Sequence, residues 1–139
     1  MPLLRALRRL SPTGPGGFEG LVAHLLAVVT KRRYYCARAG TQAGRDISSD
    51  RSNATVIAVE CKHFSDTTSF NERELLGEIA QAQSSIPDLD LWVLATTRPM
   101  PEQTYSALHE ECERRDIAFE ALAWDGSPSL SLSVLCAAA

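Results

Sequence analysis

The 139-residue sequence predicts an α/β domain, a mixed β-sheet flanked by helices in the order α-β-β-β-α-β-α-β. Three observations predict it. Residues 18–30 carry apolar side chains at helical spacing, whereas residues 55–63 alternate with a period of two. Residues 89–97 are almost continuously apolar, as a strand covered on both faces requires. Three strand segments in a row make an antiparallel meander, and the later β-α-β crossover makes a parallel pair.

The elements follow in order. The opening MPLLRALRRL is Arg-rich and acid-free, in the manner of a transit peptide, but Leu3, Leu4, Leu7 and Leu10 fit one side of a short amphipathic helix better. Two prolines and three glycines in SPTGPGG make residues 11–17 a loop. In FEGLVAHLLAVVT, residues Phe18, Leu21, Val22, Leu25, Leu26 and Val29 form one apolar face. Glu19 falls in the first turn and Lys31-Arg32-Arg33 closes the last, both as the helix dipole favours. Residues 34–38 and a segment opening at Arg45-Asp46-Ile47 are short strands, and residues 50–53 a polar hairpin turn.

The strand TVIAVECKH places Ile57, Val59 and Cys61 on one face and Val56, Ala58, Glu60 and Lys62 on the other. Glu60 and Lys62 therefore point the same way, roughly 6–7 Å apart along the strand. Residues 71–84 form a second helix with Leu75, Leu76, Ile79, Ala80 and Ala82 inward, and Gly77 within it suggests a close approach of helix to sheet. Residues 102–115 form a third, with Tyr105, Leu108 and Cys112 on one side, and residues 117–122 a last core strand. Residues 123–139 hold a turn and room for one further strand.

Composition bounds the class. A hydrophobic content of 45% and a charged content of 22% are those of a soluble globular chain. No apolar run approaches the ~20 residues of a membrane span, so no membrane partner is expected. Cys36, Cys61, Cys112 and Cys136 form no CxxC pair and read as free thiols in a reducing cytoplasm. Cys61 and His63 lack the partner pair that a zinc site needs. His24 and His109 read as structural or solvated, and Trp92 as core. Net charge is −3, unevenly spread. Residues 1–62 hold ten Lys/Arg against four Asp/Glu, and residues 63–139 four against thirteen, so the basic half contains the strand of Glu60 and Lys62 and can face a polyanion.

Two carboxylates and a lysine on neighbouring strands suit phosphodiester hydrolysis. That reaction needs neutralisation of transition-state charge and a water made nucleophilic near neutral pH, and Mg²⁺ bound by a few carboxylates supplies both. Asp46 and Glu60 can share such an ion with the backbone carbonyl of Cys61, while Lys62 orients water or stabilises developing charge. Glu19 adds a carboxylate where its helix packs beside the hairpin. The alternative is a solvated Glu60–Lys62 pair worth about 0–1 kcal/mol, with Asp46 merely starting a turn. Gln81, one turn from Glu78, is a weaker candidate.

At these residues the chain resembles the PD-(D/E)XK nuclease superfamily, and within it the Mrr-like restriction endonucleases. GGFEGLVAHLL resembles the family's first helix, GRDI its Gly-x-Asp-Ile strand and VIAVECKHF its (Glu/Gln)-x-Lys strand. ERELLGEIAQA, the strand ending ATT and PEQTYSALHEECERRDIAFEAL continue the same element order. Arg45 stands before Asp46 where the superfamily name has proline, a departure usual in this branch.

The resemblance implies a restriction-endonuclease-like fold over residues 16–122, with residues 1–15 an N-terminal arm or short helix and residues 123–139 a C-terminal extension or linker. It implies a cytoplasmic, Mg²⁺-dependent endonuclease of double-stranded DNA in which Mn²⁺ can substitute. Asp46 and Glu60 would be the metal ligands, with the Cys61 carbonyl, Lys62 catalytic and Glu19 accessory. Such domains serve as effectors of antiviral defence proteins, joined to an NTPase or sensor region. Cutting both strands implies a dimer or higher assembly. The chain has no G-x-x-x-x-G-K-[ST] loop of its own. A catalytically silent nucleic-acid-binding or protein-interaction domain on the same scaffold is the other reading.

Overall fold

The computed structural model describes residues 6, 9–10, 17–36, 46–49, 55–62, 70–123 and 130–131. Within them, helix α1 (Phe18–Thr30) precedes strands β1 (Tyr34–Cys36), β2 (Ile47–Ser49) and β3 (Ile57–Lys62). Helix α2 (Glu72–Ser85), β4 (Leu91–Thr96), helix α3 (Glu102–Arg114), β5 (Ala118–Ala123) and the two-residue β6 (Leu130–Ser131) follow. The strands form one mixed sheet in chain order, β1-β2-β3-β4-β5-β6. The first two pairings are antiparallel and the last three parallel. The expected meander and parallel crossover are thus both present, and the structure has a second parallel crossover beside the one expected. The polar hairpin turn, His63, Cys136 and most of the N-terminal arm lie outside the described residues.

Alternation in the central strands builds a core on each side of the sheet. Ile57, Val59, Val93, Ala95 and Leu122 meet Phe18, Val22 and Leu25 of α1. On the other side Val56, Ala58, Trp92, Leu94, Phe119 and Ala121 meet Leu75, Ile79 and Ala82 of α2 and Leu108 and Cys112 of α3. Both crossover helices cover the same face, as two successive right-handed crossovers advancing in one direction must. Trp92 is fully buried beside Phe119, with ring centroids 6.0 Å apart.

Local contacts fix the sheet's edges and register. The Asp90 carboxylate accepts the Val56 amide at 2.8 Å, and the Asp90 and Leu91 amides donate to the Val56 carbonyl, which locks the starts of β3 and β4 together. At the meander, Ser49 Oγ accepts the Ile57 amide at 2.9 Å. Asn71 caps α2 by accepting the Glu74 amide. Gln83 and Arg115 bond reciprocally across α2 and the end of α3, and Arg115 also pairs with Glu111.

Two local expectations need correction. Gly77 makes no close approach: it is exposed, and a Cβ built there meets nothing within 4 Å. The buried stripe of α2 is carried by Leu75, Ile79 and Ala82, which leaves position 77 on the solvent side. The basic triplet does not fill the last turn of α1 either. Lys31 is the C-cap, in the left-handed region at φ 57°, its amide donating to the Ala27 carbonyl, and Arg32 and Arg33 follow beyond the helix.

Candidate active site

The polar residues gather where the face shared by β3 and α2 changes character. Along β3 the α2-facing positions run Val56, Ala58, Glu60, Lys62, so the core of that layer gives way to charge over one strand length. Glu60 is buried despite its charge type, 6% exposed. The solvated-pair reading of Glu60 and Lys62 therefore does not describe this strand.

Asp46 reaches Glu60 through an irregularity in the β2–β3 ladder. Ile47 is the residue paired with Val59, yet the Asp46 amide also donates to the Val59 carbonyl, at 2.8 Å. Two consecutive residues thus address one on β3, which is the pattern of a β-bulge and turns the Asp46 side chain along the neighbouring strand. Its Oδ2 accepts the Cys61 amide at 2.7 Å, and Asp46 is 7% exposed. Asp46 is therefore held by backbone bonds in both directions, more than a turn initiator needs.

The two carboxyl groups act on each other. Burial, the charges of Asp46 and Glu78, and a side-chain hydrogen bond with Asp46 push Glu60 up to about 9, against an opposing pull from Lys62. Near neutral pH Glu60 therefore keeps its proton, hydrogen-bonded to Asp46 in a dry site.

Lys62 is the centre of the charge cluster. Its Nζ donates to Glu78 Oε1 at 2.8 Å and Glu74 Oε1 at 3.1 Å, and stands 3.6 Å from Glu60 Oε1. Burial alone would lower its pKa. The hydrogen bond and charge of Glu78, the charge of Glu60 and the hydrogen bond of Glu74 outweigh that and raise it above the ordinary lysine value. Glu78 is itself raised by burial, with Lys62 lowering it and Glu74 and Asp46 adding to the rise.

Glu19 belongs to the same region but approaches from the other side of the sheet. It is 5% exposed at the start of α1, among residues packed on the layer that holds Cys61 and Cys36. After burial, Asp46 and then Glu19 are the strongest influences raising the Cys61 thiol, and Glu19 and then Asp46 act likewise on Cys36. The charge of Asp46 thus acts on groups of both layers, on Glu60 on the α2 side and, together with Glu19, on the thiols of the α1 side. Of Cys61, the amide is the backbone group seen holding the site, through Asp46.

The residues that spacing did not single out are Glu74 and Glu78. A signal was available: they are four apart on α2 and each immediately precedes a buried residue, Leu75 and Ile79. Side chains flanking the buried stripe of a covering helix are the ones that reach the polar end of the strand beneath. Gln81, the weaker candidate, is exposed, as are His24 and His109.

Among the described residues no group of three or more His, Cys, Asp and Glu side chains is arranged as a ready metal cage. A Mg²⁺ site asks for less, one or two carboxylates with water completing the shell. Asp46 and Glu60 are two such carboxyl groups, both buried and hydrogen-bonded to each other. No protein-family model and no curated protein matches this chain. No described helix is long and apolar enough to cross a membrane.

Proposed function

We propose that this domain is a metal-dependent endonuclease of the PD-(D/E)XK type, Mrr-like, that hydrolyses phosphodiester bonds of double-stranded DNA. The observation that carries the reading is the convergence of Asp46 from β2 with Glu60 and Lys62 from one face of β3, all at one end of a mixed sheet. Asp46 and Glu60, with the Cys61 carbonyl, would hold Mg²⁺, and Mn²⁺ can replace it. The ion, when bound, supplies charge neutralisation and a more acidic water.

The remaining work falls to the chain. Asp46 is oriented by the Cys61 amide and needs no rearrangement to serve as a ligand. To serve as a ligand, Glu60 would have to be ionised, with its proton released to solvent. Lys62, kept ammonium by its acidic neighbours, acts as a cation and proton donor toward the phosphate and the departing oxygen, not as a base. Glu19 acts from the α1 side as an accessory carboxylate, through its influence around Asp46 and Cys61.

The charge balance supports a cation requirement independently. Glu74 and Glu78 hold the one ammonium, with Glu60 beside it and Asp46 coupled to Glu60, so carboxyl groups outnumber cations where a DNA phosphate would approach. An effector of cytoplasmic antiviral defence, recruited by an NTPase or sensor region and assembled as a dimer or higher form, suits a domain whose own charge does not draw DNA. The test is plasmid cleavage with Mg²⁺, a chelator control, and Asp46→Ala and Lys62→Ala in parallel. Nicking that needs the metal and both side chains is expected. Absence of nicking by the wild type with Mg²⁺ or Mn²⁺, alone or concentrated enough to dimerise, would rule the reading out.

A further inference from the structure

We infer that Glu78, assisted by Glu74, is a positioning residue that sets where the Lys62 ammonium sits; the inference rests on the role of Lys62 in the nuclease reading. The distances rank the partners. Glu78 at 2.8 Å and Glu74 at 3.1 Å are hydrogen bonds, whereas Glu60, on Lys62's own strand, is at 3.6 Å. The location of the ammonium is therefore dictated from α2, not from β3.

The helix is well suited to that task. Leu75 and Ile79, which directly follow Glu74 and Glu78, are buried in the core, and Asn71 fixes the helix start. The two carboxylates thus project from a rigid element at i and i+4, one helical turn apart. An ammonium has three hydrogens. Two go to the helix, which leaves one aimed by the others at the Glu60 side of the cluster.

The remaining atoms of Glu78 sharpen the assignment. Among the described residues its Oε2 is buried and without a hydrogen-bond partner, so Lys62 is the one hydrogen-bonding attachment they give its carboxylate. Buried carboxylate oxygens are ordinarily satisfied several times over. A surface or helix-stabilising glutamate would show bonds to its own helix or to solvent; this one is turned inward and spent on Lys62. Side-chain exposures of 18% for Lys62 and 17% for Glu78 place the pair well out of bulk water, where such a bond holds geometry.

The experiment uses the full chain and two readouts. The sequence contains two lysines, Lys31 and Lys62, so ¹⁵Nζ resonances are assignable with exposed Lys31 as an internal reference. In the wild type Lys62 should show a shifted, slowly exchanging ammonium signal. In Glu78→Ala that signal should move toward Lys31, and cleavage should lose about 10²-fold in kcat, the loss typical of a group misplaced by about 1 Å, with KM little changed. Glu78→Gln keeps an oxygen acceptor in place and should recover part of kcat, which a structural defect would not; it also serves if the alanine variant fails to fold. An unchanged Lys62 signal in Glu78→Ala and Glu74→Gln, or wild-type kcat in Glu78→Ala, overturns the inference. A wild type that never cuts DNA refutes the nuclease reading alone, because the resonance still decides whether Glu78 holds Lys62.

Discussion

Replacing Glu60 by Gln should abolish a specific pH dependence of stability. In the folded protein in chelator Glu60 holds its proton up to about 9, whereas in the unfolded chain it releases it near 4.5. Its folded pKa is the higher one, so its contribution is fully present below 4.5 and is lost as pH rises through about 9. Between those limits the native state binds one proton more than the unfolded state, and stability falls by about 1.4 kcal/mol per pH unit for each such proton. From pH 6 to pH 8 the Glu60 contribution is then roughly 2–3 kcal/mol. Glutamine mimics the protonated acid in shape and neutrality, so Glu60→Gln should match the wild type at low pH and exceed it increasingly as pH rises. Glu78, also raised by burial, contributes in the same sense and leaves a smaller residual slope in the variant. The assay is urea unfolding of both proteins in chelator at several pH values between 5.5 and 8.5. Parallel stability curves across that range would refute the buried, proton-sharing Asp46–Glu60 pair.

The same proton predicts the behaviour of the metal. Binding of Mg²⁺ near pH 7 should release about one proton, read by calorimetry in buffers of different ionisation enthalpy, and the release should vanish in Glu60→Gln; equal heats in all buffers would contradict it. Gly77→Ala should raise stability by up to about 1 kcal/mol, since the position is exposed, helical and open; a loss in thermal unfolding would restore the close-approach reading. Arg98 follows β4, whose Thr96 pairs with Lys62, and its guanidinium lies 5.9 Å from the centroid of the Phe70 ring. If it meets a phosphate beside the site, Arg98→Ala should weaken DNA binding evenly across sequences and reduce the salt slope by about 1, measured by fluorescence anisotropy with Ca²⁺ in place of Mg²⁺. An unchanged slope would remove Arg98 from the DNA-facing surface.

The legible parts of the fold are those where one periodicity acts alone. The alternation of residues 55–62 placed Ile57, Val59 and Cys61 opposite Glu60 and Lys62, and the two cores divide along that line. The continuous apolar run around Trp92 correctly implied a strand covered on both faces. Asp46 was less legible because its meeting with Glu60 depends on an extra residue in the ladder, and a bulge leaves no mark in an alternation too short to show a break. Gly77 misled because glycine in a helix signals either close packing or indifference, and the register of Leu75 and Ile79 decides for the latter. Glu74 and Glu78 read as an ordinary solvated helix face until the strand beneath is known to end in a lysine.

The charge asymmetry between the two halves of the chain acquires a different meaning from this arrangement. A basic first half suggested a surface prepared for a polyanion. Its lysine at the site, however, is enclosed by acids that the second half contributes from α2. Of its other cations, Arg32 donates to the Thr55 carbonyl, and Lys31 caps α1. At the site itself, acids of the second half therefore neutralise the lysine of the first. A surplus of carboxylate remains there, and it repels a phosphodiester while attracting a divalent cation. On the proposed function that surplus makes the order of events obligatory: cation first, then DNA. On that same proposal, a domain built this way would gain little affinity for nucleic acid from the field of the site itself.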